Sequence, residues 1–285
     1  MEAAMFNLFL HELRSRRSAI LGWGIGIALF GILIIMIFPD FEGQLEGFNI
    51  DEIELYQVMG DFGEFASFKG FISAEMFTFM PILLGIYAII NGTGTLAGEE
   101  DNGTLEPLMS LPLHRWQLVA TKALALGIAL FLILAIMSIG EVIAFNALPA
   151  GTDVSGVEAV DLVVATLAIW PLIMVFATAS MFLGAFMPSR RIAATVATIL
   201  LIVTYLGNNL TDMVSWLETL KPLFPFNYYN GREILESGMN TGDLLALLVA
   251  SLLFFGLTLL SFQRRNVTVG AWPWQRARIP SQAEV

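Results

Sequence analysis

The sequence predicts an all-α polytopic membrane protein with six transmembrane helices, and three observations lead to this fold class. Hydrophobic residues make up 56% of the 285 positions and charged residues only 14%, whereas soluble domains carry about 25% charged residues. Six apolar runs are each long enough to cross a hydrocarbon core, which takes roughly 20 helical residues. These runs lack the alternation of barrel strands, so each is predicted to be a helix. The predicted spans are residues 19–38, 77–97, 118–148, 162–187, 192–210 and 244–262.

The segment before the first span is predicted to form an interfacial helix over residues 4–17. Met5, Phe9 and Leu13 fall on one side of that helix, and Arg14 falls on the other. Such a helix lies in the plane of the membrane, with its basic end against anionic lipids of the cytoplasmic leaflet. Membrane lipids are therefore an expected partner.

The first span follows three arginines and superficially resembles a secretory signal peptide. The apolar core of a signal peptide is about 7–15 residues long and ends at small residues, whereas this run is longer and ends at Phe38 and Pro39. We therefore predict a transmembrane helix. Gly22 and Gly26 form a small-xxx-small pair within it, predicted to pack inside the subunit, with contact to a second subunit as the alternative.

The distribution of lysine and arginine predicts that both termini are cytoplasmic. Positive residues are retained on the cytoplasmic side, and 11 of the 14 lie in the termini and in the second and fourth loops. The even number of spans agrees with this orientation. The residues are Arg14, Arg16, Arg17, Arg115, Lys122, Arg190, Arg191, Arg264, Arg265, Arg276 and Arg278.

The external segments differ in character. The first external loop is acidic between Asp40 and Glu64, which predicts a solvated face, with a cation-collecting vestibule as the alternative. Residues 212–243 are too polar to span but are rich in prolines and aromatic residues such as Trp216 and Tyr229. Aromatic side chains with a polar end are favoured at headgroup depth. This segment is predicted to form a cap of short interfacial or re-entrant helices.

The cytoplasmic loop between the second and third spans, residues 98–117, has a pattern that a plain connector would lack. Acidic Glu99 and Glu100 precede apolar Leu105 and Leu108, which stand at helical spacing. A Ser-Leu-Pro sequence and a basic residue follow. An exposed apolar helix in such a loop is predicted to bind a partner protein.

This loop closely resembles the cytoplasmic loop of type-2 ABC transporter permeases. That family commonly has Gly-Glu-Glu, a polar pair, Gly-Thr-Leu-Glu, two or three apolar residues, Ser-Leu-Pro, then Arg and, a turn later, Lys. Pro107 departs from the pattern, because the family usually has a helix-forming residue there. The resemblance extends more loosely to the six spans and to the aromatic segment before the last one. The matching residues are Gly98, Glu99, Glu100, Gly103, Thr104, Leu105, Glu106, Leu108, Ser110, Leu111, Pro112, Arg115 and Lys122.

The resemblance implies a single permease domain over residues 1–285, in the plasma membrane, that exports a substrate with energy from ATP hydrolysed by a separate ATP-binding subunit. In the family the loop forms a coupling helix seated in a groove of that ATPase, which itself binds ATP and Mg. A second permease subunit is also implied, as a homodimer or a heterodimer. This chain would then be no enzyme and would need no metal, cofactor or nucleic acid. The implied coupling residues are Glu99, Glu100, Gly103, Thr104, Leu105, Glu106, Leu108, Ser110, Pro112 and Arg115.

The sequence itself contains no phosphate-binding loop and no cysteine. A phosphate-binding loop needs a lysine after a glycine, but the three lysines follow Phe68, Thr121 and Leu220. An ATP site must therefore come from another chain. The absence of cysteine excludes thiolate metal sites and thiol nucleophiles.

Glu141 lies inside the third span, well away from its predicted ends. Charge within lipid is costly, so Glu141 is predicted to act in the transport pathway or in gating. A structural hydrogen bond is the alternative. The alternative function for the whole chain is a proton-coupled secondary transporter that uses Glu141.

An intramembrane protease is the enzymatic alternative, because Glu99 and Glu100 resemble the paired glutamates of prenyl-protein proteases. Thr104 stands where that family has an arginine, and neither histidine of the chain falls within a predicted span. Both departures argue against this alternative.

Overall fold

The computed structural model describes residues 2–46, 67–110, 112–154, 156–211 and 214–264. Regular structure within these ranges is helical, and six of the helical stretches are long and apolar enough to cross a membrane. The predicted fold class, an all-α protein with six spans, is confirmed. The six candidate spans are Arg17–Gln44, Phe68–Asp101, Arg115–Asn146, Ala159–Phe186, Arg190–Leu210 and Thr241–Gln263.

A separate N-terminal helix, Glu2–Ser15, precedes the first span. Leu8 and Glu12 are buried on its inner side, while Phe6 on the outer side is 60% exposed. This helix packs against the third span. Arg16 forms the turn that leads into the first span.

The helix of the first span, Arg17–Glu46, runs past its predicted end and contains Pro39. Proline removes one backbone donor and often ends a helix in a soluble protein, but transmembrane helices tolerate it where neighbours support the turn. Here Phe38 packs edge to face on Phe68, with 5.0 Å between ring centroids. Aromatic packing thus holds this end of the first span against the start of the second.

The second span is one helical run that contains two π-helical segments. Helix Phe68–Ile72 leads into the π-segment Ser73–Phe77, and helix Met80–Thr93 leads into the π-segment Gly94–Gly98. Helix Glu99–Asp101 completes the run. The second span therefore extends directly into the loop that precedes the third span.

Glycine lets the second and fourth spans meet backbone to backbone. A Cβ on Gly92 would lie 2.8 Å from the carbonyl oxygen of Ala177, and a Cβ on Gly184 would lie 3.1 Å from that of Thr93. The fourth span, helices Ala159–Leu167 and Ile169–Phe186, also packs along the sixth, helix Thr241–Arg264. The first span packs along the third, helix Arg115–Asn146. The fifth, helix Arg190–Leu210, contacts the second and fourth.

Gly22 and Gly26 of the first span do not bring two described helices into close contact. A Cβ on Gly22 or Gly26 would meet no described atom within 4 Å. The prediction that the pair packs within the subunit is wrong, because these glycines face outward. Gly24 between them faces inward, where a Cβ would lie 2.8 Å from the Ile136 side chain.

Short helices lie between the fifth and sixth spans. Phe226 is buried there, and its ring centroid lies 5.4 Å from those of Phe176 and Tyr205. Residues 47–66, which hold most of the predicted acidic loop, fall outside the described residues, as do Asp212 and Met213. The short helices are Ser215–Glu218, the 3-10 turns Lys221–Leu223 and Pro225–Tyr228, and Gly231–Ser237.

Candidate functional site

The loop after the second span is a compact turn followed by a short helix. Helix Glu99–Asp101 ends in a turn at Gly103, whose φ of 70° is a conformation that residues with a Cβ adopt at a cost. The Gly103 N–H donates to the Glu100 carbonyl at 3.1 Å, and the Thr104 N–H donates to the Glu99 carbonyl at 2.9 Å. Glycine at this position therefore lets the chain reverse within four residues.

The short helix of the loop is Leu105–Met109 and contains Pro107. Backbone N–H groups in the first turn of a helix have no partner inside the helix, so the missing N–H of proline costs no hydrogen bond there. The Ser110 hydroxyl donates to the Pro107 carbonyl at 2.7 Å and helps to close the last turn. The departure of Pro107 from the type-2 pattern thus fits a short helix.

The apolar side of this helix faces the protein, contrary to the exposed apolar surface expected from the sequence. Leu105 is only 3% exposed and belongs to the hydrophobic core. Leu108 and Met109 are half-buried. The surface open to a partner is instead formed by the exposed residues of the loop, which we call the loop tip: Asp101, Asn102, Gly103, Thr104, Pro107, Ser110 and Pro112. The Glu106 side chain and Leu111 lie outside the described part of the loop.

Buried charges lie directly behind the loop tip. Lys122 of the third span is 1% exposed, and its ammonium contacts carboxylates of Glu12 and Glu99. The distance from Lys122 Nζ to Glu99 Oε1 is 2.8 Å. The Thr104 hydroxyl contacts the second Glu99 oxygen, Oε2. Charges taken out of water must be paired and hydrogen-bonded, and here each partner comes from a different part of the chain.

Arg16 adds a second cation to this group. Its guanidinium lies 3.5 Å from Glu12 Oε2 and donates to the Asn91 side-chain oxygen at 2.7 Å. We call Glu12, Arg16, Glu99 and Lys122 the charge cluster. Glu12 and Asn91 were not among the residues predicted from the sequence. Glu12 lies one helical turn after Leu8 on the inner side of the N-terminal helix, and an acid on that side is the signal that could have identified it.

Two arginines near this region donate hydrogen bonds to backbone carbonyls of other helices. Arg115 Nη1 donates to the Phe262 carbonyl at 3.3 Å, and its guanidinium lies 5.9 Å from the centre of the Phe262 ring. A cation at the C-terminus of a helix is favourable, because the last carbonyls lack partners there. Arg190 donates to the Ile90 carbonyl at 3.1 Å, beside the second π-segment. Arg115, a predicted coupling residue, therefore joins the third span to the sixth.

Glu141 lies in the packed interior of the subunit, far along the third span from the loop. It is 0% exposed, and the Thr166 hydroxyl lies 2.8 Å and 2.7 Å from its two carboxyl oxygens. Gly31 leaves room for it, since a Cβ there would lie 3.6 Å from Glu141 Cγ. Nearby, the Tyr229 hydroxyl donates to the Ala165 carbonyl at 3.3 Å. Burial raises the pKa of Tyr229 well above its ordinary value, so it stays a donor.

We expect Glu141→Gln to melt close to the wild type, because the amide keeps an acceptor for the Thr166 hydroxyl. Glu141→Leu should lose about 1–3 kcal/mol of stability, since it leaves that buried hydroxyl unpaired. Thermal unfolding in detergent, followed by size-exclusion chromatography, measures both. Equal melting of the glutamine and leucine variants would contradict a structural role. A glutamine variant that melts normally but loses transport would support the pathway role instead.

A family model described as ABC-2 family transporter protein matches residues 6–267. The matched stretch includes all six candidate spans and the loop tip. No curated protein matches the chain.

Proposed function

The chain belongs to the ABC-2 family of transporter proteins, and on this premise we propose that it exports a substrate with energy from ATP hydrolysed by a separate subunit. Family membership makes it a multi-pass membrane permease component of an ABC transporter. The proposal adds the outward direction, the coupling to ATP through the loop tip, and a plasma-membrane location with both termini cytoplasmic.

The observation that carries the proposal is the way the loop tip is joined to the membrane helices. The tip is exposed, while Leu105 behind it is buried in the core and Glu99 is bound to Lys122 of the third span. A protein surface that pushes on the tip would therefore push on the second and third spans as well. This is the mechanical connection that an ATPase outside the membrane needs.

A second permease subunit, identical or different, is part of the proposal. Six helices leave wide apolar faces uncovered: the apolar windows of the fifth and sixth spans are each only 17% buried within the subunit. On the first span, Gly22 and Gly26 lie on the outer surface next to exposed Leu21 and Ile25. Small residues allow close helix approach. Lipid covers whatever part of these faces the second subunit does not.

Family membership does not support the alternative of a proton-coupled carrier. That function would require Glu141 to exchange protons with water, and Glu141 is 0% exposed. Its carboxyl group is bound to Thr166 in the packed interior.

Co-purification tests the proposed function. The tagged chain is expressed together with a candidate ABC ATP-binding subunit and purified in mild detergent. ATP hydrolysis is then assayed with and without the permease. We expect a stable complex whose ATPase activity depends on the permease. If neither association nor a change in ATPase activity is found, the coupling proposal is overturned and a proton-gradient flux assay becomes the next experiment.

A further inference from the structure

We propose that Lys122 is a positioning residue that makes the loop tip, the N-terminal helix and the third span move as one unit. This inference rests on the proposed function, because it concerns how a push on the loop tip is transmitted. The feature that suggests it is the charge cluster, in which one buried ammonium bridges two carboxylates from different helices.

The position of Lys122 explains why it can join these parts. An ammonium has three protons to donate, and at 1% exposure Lys122 has almost no contact with solvent. Glu12 belongs to the N-terminal helix, 110 residues away in sequence, and Glu99 belongs to the end of the second span, 23 residues away. Three elements are therefore held by one side chain.

The contacts on either side of Lys122 continue this connection. At the loop tip, the Thr104 hydroxyl contacts Glu99, so the tip is bound to the cluster through a side chain as well as through the backbone. On the other side, Arg16 contacts Glu12 and donates to Asn91 of the second span at 2.7 Å. The contacts thus form a ring that starts and ends on the second span.

Burial stabilises the Lys122–Glu12 ion pair within this ring. An exposed ion pair exchanges readily with water and contributes little, whereas separating a buried pair leaves uncompensated charge in a poorly solvated site. Lys122 and Glu12 are both buried, at 1% and 6% exposure. A motion that parts the N-terminal helix from the third span would have to break this pair, so the two elements move together.

The main variant neutralises all four members of the cluster, so that no buried charge is left unpaired: Lys122→Met combined with Glu12→Gln, Glu99→Gln and Arg16→Gln. Lys122→Arg is the conservative variant, since it keeps the charge but changes the headgroup geometry. Arg191→Met is the matched control, because Arg191 is an exposed cation at the cytoplasmic start of the fifth span. Each variant is purified with the ATP-binding subunit, and the dependence of ATPase activity on the permease is measured.

A cross-linking measurement reports movement directly. The natural chain has no cysteine, so Phe9→Cys and Ala120→Cys supply its only two thiols when introduced together. Any cysteines of the ATP-binding subunit are replaced first. Both positions line the same crevice between the N-terminal helix and the third span. A bifunctional thiol reagent is applied in the presence and absence of ATP, in the wild-type cluster and in the neutral variant.

We expect the neutral variant to co-purify with the ATPase but to lose at least about fivefold in the dependence of ATPase activity on the permease, the lower end of typical coupling energies. Its cross-linking should become sensitive to ATP, while that of the wild-type cluster should not. Lys122→Arg should fall between the two, and Arg191→Met should match the wild type. Unchanged ATPase dependence in the neutral variant and in Lys122→Arg would overturn the inference while leaving the proposed function intact. Failure of the wild-type chain itself to bind an ATPase would overturn the proposed function.

Discussion

Replacing Gly92 with leucine is expected to abolish the folded subunit. A Cβ alone at this position would lie 2.8 Å from both the Ala177 carbonyl oxygen and the Ser180 Cβ. The first of these is backbone and cannot move without the fourth span. Overpacking usually costs about 1–3 kcal/mol when side chains can adjust, and a rigid helix backbone makes the cost larger. We expect aggregated or degraded protein, measured as loss of the monodisperse peak in size-exclusion chromatography.

Gly26→Leu is the matched control, because Gly26 is also a glycine in a span but faces outward. A Cβ at Gly26 would lie more than 4 Å from the described atoms around it, so the variant should fold and melt like the wild type. A shift of that variant to a smaller assembly would identify the Gly26 face as a contact with the second subunit. Normal folding of Gly92→Leu would show that the second and fourth spans are held by other contacts.

The double variant Asp101→Arg with Pro107→Arg is expected to lose the ATPase without losing the fold. Both side chains are exposed on the loop tip, so bulky positive groups there change the surface that a partner meets and leave the core intact. Interface positions that dominate binding contribute about 2 kcal/mol or more, which is about thirtyfold in affinity. We expect co-purification with the ATP-binding subunit to fall to background while thermal stability remains that of the wild type.

Glu218→Arg controls for the added charge, since Glu218 is exposed on the segment between the fifth and sixth spans. This variant should bind the ATPase normally. If the loop-tip double variant co-purifies at the wild-type level, the ATPase contact lies elsewhere in the chain. Because neither Asp101 nor Pro107 is a member of the charge cluster, this experiment tests docking separately from the transmission assigned to Lys122.

The six spans were predictable because length and hydropathy alone set the requirement for crossing a membrane. Their ends were less predictable. Pro39 suggested that the first helix ends there. The helix instead continues to Glu46, with Phe38 packed against Phe68. The two π-segments of the second span depend on hydrogen bonds that shift by one residue, and this shift leaves no periodic signal in the sequence.

The position of the candidate site in the chain was predictable, but the residues that it exposes to a partner were not. The pattern from Gly98 to Pro112 located the loop, but local spacing does not tell which side of a short helix meets the protein, and Leu105 faces inward. The pairing of Glu12 with Lys122 joins residues 110 positions apart, which no local pattern can reveal. The outward direction of Gly22 and Gly26 was unpredictable for the same reason, because small residues serve both kinds of contact.

The charge cluster has a consequence for the response of the protein to membrane voltage. An elementary charge that crosses a membrane potential of 100 mV exchanges about 2.3 kcal/mol with the electric field. Glu12 and Glu99 carry two negative charges and Arg16 and Lys122 carry two positive ones, so the cluster is neutral as a group. If these residues travel together, the field does no net work on them, and their displacement costs the same in a polarised membrane as in a depolarised one.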